Sequence, residues 1–168
     1  GVYDPRAVRL ADLDGDEDLD LLVASYSDDR VIWFRNDGTG SFGETANIDA
    51  DADGAYSVWV ADLDGDGDLD VLSASSKDHT IAWYANNGSG GGWSKVVVSS
   101  SVYAAKSVHA GDIDGDGYLD VLSASYNDDT IAWFRNDGNG SFGPMQTITM
   151  LADGAYSVHA ADLDGDDD

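Results

Sequence analysis

The chain has 168 residues, 42% of them apolar and 24% charged, and a formal charge of −25 at neutral pH. That charge excludes nucleic acid and anionic membranes as partners, while five Trp, eight Tyr and four Phe supply a core and exclude a disordered acidic tail. There is no cysteine, so no disulfide or thiol chemistry, and no run of 18 apolar residues to span a membrane.

The chain opens on Gly1 with neither a Met start nor a signal peptide, which reads as a processed or truncated end. Arg6-Ala7-Val8-Arg9-Leu10-Ala11 alternates and runs into an acidic loop at Asp12. Leu19 to Ala24 follows, rich in strand formers, and the polar turn Ser27-Asp28-Asp29 leads into Val31-Ile32-Trp33-Phe34. Asn36-Asp37-Gly38-Thr39-Gly40 marks a hairpin turn, because Asp-Gly supplies the positive φ that such turns need. A weaker strand ends near Ile48. Four short strands joined by turns, with no helical pattern between them, predict an antiparallel up-and-down sheet.

The second unit repeats this with Ser57–Ala61, Leu69–Ala74, Thr80–Tyr84 and Lys95–Val98. The third gives Ser107–Ala110, Leu119–Ala124, Thr130–Phe134 and Gln146–Ile148. A fourth unit offers only Ala155–Ala160 before the chain ends inside its loop, which reads as the edge of a longer protein. The acidic motif starts at Asp12, Asp62, Asp112 and Asp162, a constant spacing of 50 residues. One four-stranded unit cannot bury both faces of its sheet, so copies must stack. The recurring Trp33, Trp83 and Trp133 mark the packing position between sheets. The fold expected is therefore all-β: β-propeller blades over 1–50, 51–100 and 101–150, and the first strand and truncated loop of a fourth over 151–168.

The stretch Asp62-Leu63-Asp64-Gly65-Asp66-Gly67-Asp68-Leu69-Asp70 carries the chemistry. Alternating carboxylates with glycines between them repel one another and suit neither helix nor strand interior. They suit a tight loop around a hard cation: calcium takes about six to eight oxygens at about 2.3–2.6 Å. An EF-hand is disfavoured because its bidentate twelfth residue is here Val23, Ser73 and Ser123, and magnesium because it prefers more water. Three bound Ca²⁺ would move the formal charge from −25 to −19.

The pattern D-L-D-G-D-G-D-L-D-V-L, then I-A-W-Y, then N-D-G-x-G-S-F-G, resembles the FG-GAP/VCBS repeat family across essentially the whole chain; Phe42-Gly43 and Phe142-Gly143-Pro144 match the element that names it. The resemblance implies integrin-α-like, calcium-binding blades in which the metal loop joins the first two strands. In unit two it implies ligation by the side chains of Asp62, Asp64, Asp66 and Asp70 and by the Asp68 carbonyl. Unit one maps to Asp12, Asp14, Asp16, Asp18 and Asp20, with Glu17 in place of the second glycine, a weakness if that position needs positive φ. Unit three maps to Asp112, Asp114, Asp116 and Asp120, with Tyr118 as the carbonyl donor. Asp162, Asp164 and Asp166 lack the ninth residue and are expected to bind poorly.

No catalytic constellation is visible: there is no G-x-S-x-G, no Cys-His pair and no phosphate loop. His109 and His159, where other units have Arg9 and Trp59, read as surface or channel-lining residues, and His79 as solvent-exposed. Asn87-Gly88-Ser89 and Asn139-Gly140-Ser141 fit the N-glycosylation acceptor pattern at Asn87 and Asn139. Tyr26, Tyr56, Tyr126 and Tyr156 can stack on sugars or pack between blades. The function expected is a non-catalytic, calcium-binding module of a secreted or cell-surface protein, used for adhesion, surface assembly or binding of glycans or proteins. Its partners would include other blades of the same or another chain. The alternatives are the propeller of a secreted sugar-active enzyme and a self-assembling fibre or ring.

Overall fold

Strand formers bounded by turns give twelve strands and no helix among the described residues of the computed structural model, which are 1–88 and 91–161. The first sheet holds β1 (Pro5–Ala11), β2 (Asp20–Ser25), β3 (Arg30–Asn36) and β4 (Phe42–Asp49). The second holds β5 (Ala55–Ala61), β6 (Asp70–Ser75), β7 (Thr80–Asn86) and β8 (Trp93–Ser99). The third holds β9 (Ala105–Gly111), β10 (Asp120–Ser125), β11 (Thr130–Phe134) and β12 (Gln146–Thr149). All pairings are antiparallel and sequential, and the register recurs: Leu22 faces Trp33, Leu72 faces Trp83 and Leu122 faces Trp133.

The expected sheets are therefore present, most strands running one or two residues further, while β2, β6 and β10 are shifted by one residue and begin at Asp20, Asp70 and Asp120. The fourth unit differs. Residues 155–161 follow the sequence of a first strand but form none. In each complete sheet the first strand pairs only with the second, across the loop, and the described part of unit four has no such partner. It nevertheless docks on the third sheet, where the Val158 N–H donates to Ser107 Oγ at 3.2 Å.

The sheets stack as propeller blades without closing a ring, with β1 against β5 and β5 against β9. Leu22, Val31, Trp33, Val58, Val71 and Tyr84 fill the first interface. Leu72, Ile81, Trp83, Val108, Val121 and Phe134 fill the second. Trp83 lies against Gly140 so closely that a Cβ there would sit 2.3 Å from the ring. No larger residue fits that turn. Among the described residues no helix is long and apolar enough to cross a bilayer.

Polar latches repeat with the core. Asp29 Oδ1 accepts from the Gly54 N–H at 2.8 Å, Asp129 Oδ1 from Gly154 at 2.9 Å and His79 Nδ1 from Ala104 at 3.0 Å. His79 is thus no free surface residue. It is half-buried, takes φ +62° and stacks on Tyr103, with ring centres 5.1 Å apart. Ala104 stands where the neighbouring units have Gly54 and Gly154, and all three hold positive φ. A Cβ in the left-handed region costs about 1–2 kcal/mol, against the greater chain entropy of glycine. Ala104→Gly is expected to stabilise the protein by about 0.5–1 kcal/mol. A urea midpoint that stays put or falls would contradict this.

Rings recur near the innermost strands as well. Arg9 covers Trp59 at 4.8 Å, Trp59 and His109 lie 4.1 Å apart, and His109 and His159 lie 4.2 Å apart. Neighbouring rings cover His109, so it is buried rather than a surface residue. Burial, then the charges of His159 and Arg9, push its pKa down to about 4. The tyrosines pack mainly on one another: Tyr26 on Tyr56, Tyr56 on Tyr156 and Tyr126 on Tyr156. Lys106 sits 3.8 Å over the Tyr56 ring.

Candidate metal centre

Each acidic loop joins the first two strands of its sheet, and its first Asp folds the loop. Asp12 Oδ1 accepts from the Gly15 and Asp16 N–H groups at 2.8 and 3.2 Å, and Oδ2 from Glu17 at 2.9 Å. Asp112 makes the same three bonds, at 2.9, 3.2 and 2.8 Å. Asp62 accepts from Gly65 and Gly67 at 2.8 and 3.1 Å. The second glycine does need positive φ: Gly67 takes +94° and Gly117 +89°, and Glu17 is held at +71°. An ordinary residue held in that region costs about 1–3 kcal/mol, so the first loop is strained as its sequence implies.

The ninth residue of each loop begins the second strand and is fully buried. Asp70 accepts from the Leu63 N–H at 3.0 Å and the Asn86 N–H at 2.8 Å, and Asp20 and Asp120 repeat both bonds. These carboxylates tie the loop entrance to the end of the third strand. Burial pushes Asp70 up to about 6 and raises Asp120. The seventh residues, Asp18, Asp68 and Tyr118, lie over Gly38, Gly88 and Gly138, where a Cβ would meet their side chains at 2.5, 2.3 and 2.4 Å.

Asp12, Asp14 and Asp20 place ligand oxygens within 4.8 Å of one another, as do Asp62, Asp64 and Asp66, and Asp112, Asp114 and Asp120. These oxygen-only clusters can hold a hard cation. Asp14 gives the sharpest test of fit: its side chain is 4% exposed, Oδ1 accepts no hydrogen bond, and Oδ2 meets the Arg35 guanidinium. Burial, then the charge of Asp20, raises its pKa, and burial followed by the charge of Asp66 does the same for Asp64. A nearly buried carboxylate facing other carboxylates needs counter-charge, and one guanidinium does not neutralise the three of Asp12, Asp14 and Asp20.

A cation already reaches two of the loops. Arg35 Nε lies 2.6 Å from Asp14 Oδ2 and its Nη2 3.0 Å from Asp16. Arg135 repeats this at 2.6 Å from Asp114 and 2.7 Å from Asp116. The equivalent position in the second loop is Ala85, and among the described residues no lysine or arginine pairs with that loop. Asp16 is held below its ordinary value chiefly by the Arg35 hydrogen bond, and Asp116 by the Tyr118 N–H and then by Arg135. Reading the sequence for acidic motifs passes over both arginines.

It also passes over the asparagines at 36, 86 and 136. Asn86 Nδ2 donates to Leu13 O of the preceding blade at 2.8 Å and to Leu69 O at 3.0 Å. Asn136 Nδ2 does the same to Leu63 O at 2.7 Å and Leu119 O at 3.0 Å. Their fixed spacing of 50 residues was the available signal. Asp162, Asp164 and Asp166 lie outside the described residues, as does Ser89. Asn87 and Asn139 are exposed.

The recurrent loop, the buried ninth Asp and the tryptophan strand agree with a match to the FG-GAP-like repeat over residues 12–73, 62–123 and 112–168. The chain belongs to the FG-GAP-like repeat family. Among solved structures, these FG-GAP repeats are similar to a lectin of Agrocybe aegerita whose structure describes recognition of non-reducing terminal N-acetylglucosamine. The similarity has a TM-score of 0.60 at 24% identity, and covers 89% of this chain and 39% of the lectin chain. At that identity the likeness concerns the fold. No curated protein matches the chain.

Proposed function

We propose that this chain is a calcium-stabilised, non-catalytic FG-GAP module of an extracellular or cell-surface protein, and that its blades present a binding surface to carbohydrate. The observation that carries the calcium part is the cluster of aspartate oxygens that recurs in three blades, where the carboxylates around Asp14 outnumber its one guanidinium partner, Arg35. The metal would be held by Asp12, Asp14, Asp16 and Asp20, by Asp62, Asp64, Asp66 and Asp70, and by Asp112, Asp114, Asp116 and Asp120, with carbonyls of Asp18, Asp68 and Tyr118. Calcium would neutralise the loop and fix where the second strand begins. The chain's own residues supply the frame: Asp12 closes the loop, and Asp20 anchors it to β3.

Carbohydrate binding is supported by the fold shared with a lectin. It is also supported by an open depression beside the third loop, lined by Asp116, Tyr118, Arg135, Asp137, Ser141 and Phe142. Aromatic faces with nearby hydroxyl and charged groups suit a sugar ring. The expected result on a glycan array is calcium-dependent binding to a restricted set of sugars. Binding to none, with calcium present and the fold intact, would remove the lectin reading.

A second reading, assembly with further blades, is favoured by the outer face of the first sheet. Val8 is 53% exposed, whereas its equivalents Val58 and Val108 are 0% and 2% exposed because the preceding blade covers them. A stable monomer in sedimentation analysis would exclude self-assembly of this chain through that face.

A further inference from the structure

We propose that Arg35 and Arg135 are tethered competitors for the metal, so that the second blade loads with calcium first and the first and third blades follow at higher concentration. The inference rests on the calcium reading above and concerns what sets the affinity of each loop.

The three loops share four aspartates and their fold; blade one adds the strained Glu17 and blade three has Tyr118 as its seventh residue, but the largest difference is in what already meets the carboxylates. In blade one the guanidinium of Arg35 is paired with Asp14 and Asp16; in blade three that of Arg135 is paired with Asp114 and Asp116. These are the second and third aspartates of the motif, and the second belongs to the cluster in both blades. A cation entering either loop must displace Nε from an oxygen 2.6 Å away, or share that oxygen with it at the cost of like-charge repulsion. In blade two the side chain at this position ends at Cβ of Ala85, and the oxygens of Asp62, Asp64 and Asp66 are not paired with any lysine or arginine among the described residues.

The size of the effect follows from exposure. Arg35 and Arg135 are 45% and 54% exposed, so each contact is a partly screened ion pair of modest strength. Two such contacts per loop lower affinity by about tenfold. Arginine cannot lose its proton, so it competes across the accessible pH range. A displaced guanidinium would remain next to its loop: Arg35 lines a depression with Asn36, Asp37 and Gly43, and Arg135 the corresponding one in blade three.

Isothermal titration with calcium chloride tests this on the whole chain. The parent is expected to show one tight site and two sites about tenfold weaker. The double variant Arg35→Ala/Arg135→Ala should bring the weaker class up to the tight one. Ala85→Arg should convert the tight site to the weak class, and far-UV circular dichroism in chelator would check that each variant folds. Three equal sites in the parent, or weaker binding in the double variant, would overturn the competition while leaving the calcium reading intact. No calcium binding by parent or variants would overturn both.

Discussion

Calcium at 100 times its Kd is expected to raise the melting temperature by roughly 20 °C over the same protein in chelator. Each independent site contributes about 2.7 kcal/mol at that excess, so three give about 8 kcal/mol. A chain of 168 residues gains about 2–4 °C for each kcal/mol. Two features make the metal-free protein vulnerable. Its formal charge is −25, and much of that charge is crowded in loops where Asp14 and Asp70 are buried. Magnesium at the same concentration should give a smaller rise because it keeps more of its water. An unchanged melting temperature with calcium would mean that the loops fold without the ion.

Asn136→Ala is expected to lower stability by about 3 kcal/mol, even in chelator. Its amide group donates to Leu63 O and Leu119 O, and its carbonyl oxygen accepts from the Gly138 N–H. Alanine leaves these backbone groups without a partner at a site that is 1% exposed. Asn36→Ala is the control: its amide reaches Leu19 O at 3.0 Å, more exposed to solvent and within its own blade. That change should cost about 1 kcal/mol. Equal losses in urea unfolding would show that the bond between blades contributes nothing beyond the local turn.

The fold was legible because several signals coincide at one spacing. Alternating strand formers, the Asp-Gly turns and the recurring Trp33, Trp83 and Trp133 all pointed to four-stranded sheets, and the sheets lie there. The ligand candidates were legible for the same reason, since carboxylates at alternating positions with glycines have few structural uses. What escaped sequence reading depends on contacts between units. His109 was expected to line a surface or a channel, yet Trp59 and His159 close over it from the adjacent units. Arg35 and Arg135 stand beyond the acidic motif in sequence and reach back to it only once β2 and β3 are paired. The fourth strand of the innermost layer was misjudged because propensity supplies a strand's shape but no partner for its ladder.

Contacts between blades recur at constant sequence distance. Leu13 to Asn86 and Leu63 to Asn136 are both 73 residues apart, and Ser57 to Val108 and Ser107 to Val158 both 51. Each blade therefore offers the next one nearly the same surface that it receives from the one before. Excising or duplicating one whole unit in the gene would rejoin surfaces that already match, whereas inserting a single residue in a strand would turn its side chains to the wrong face. Proteins built this way can change length by whole blades across generations while their blade interfaces stay the same.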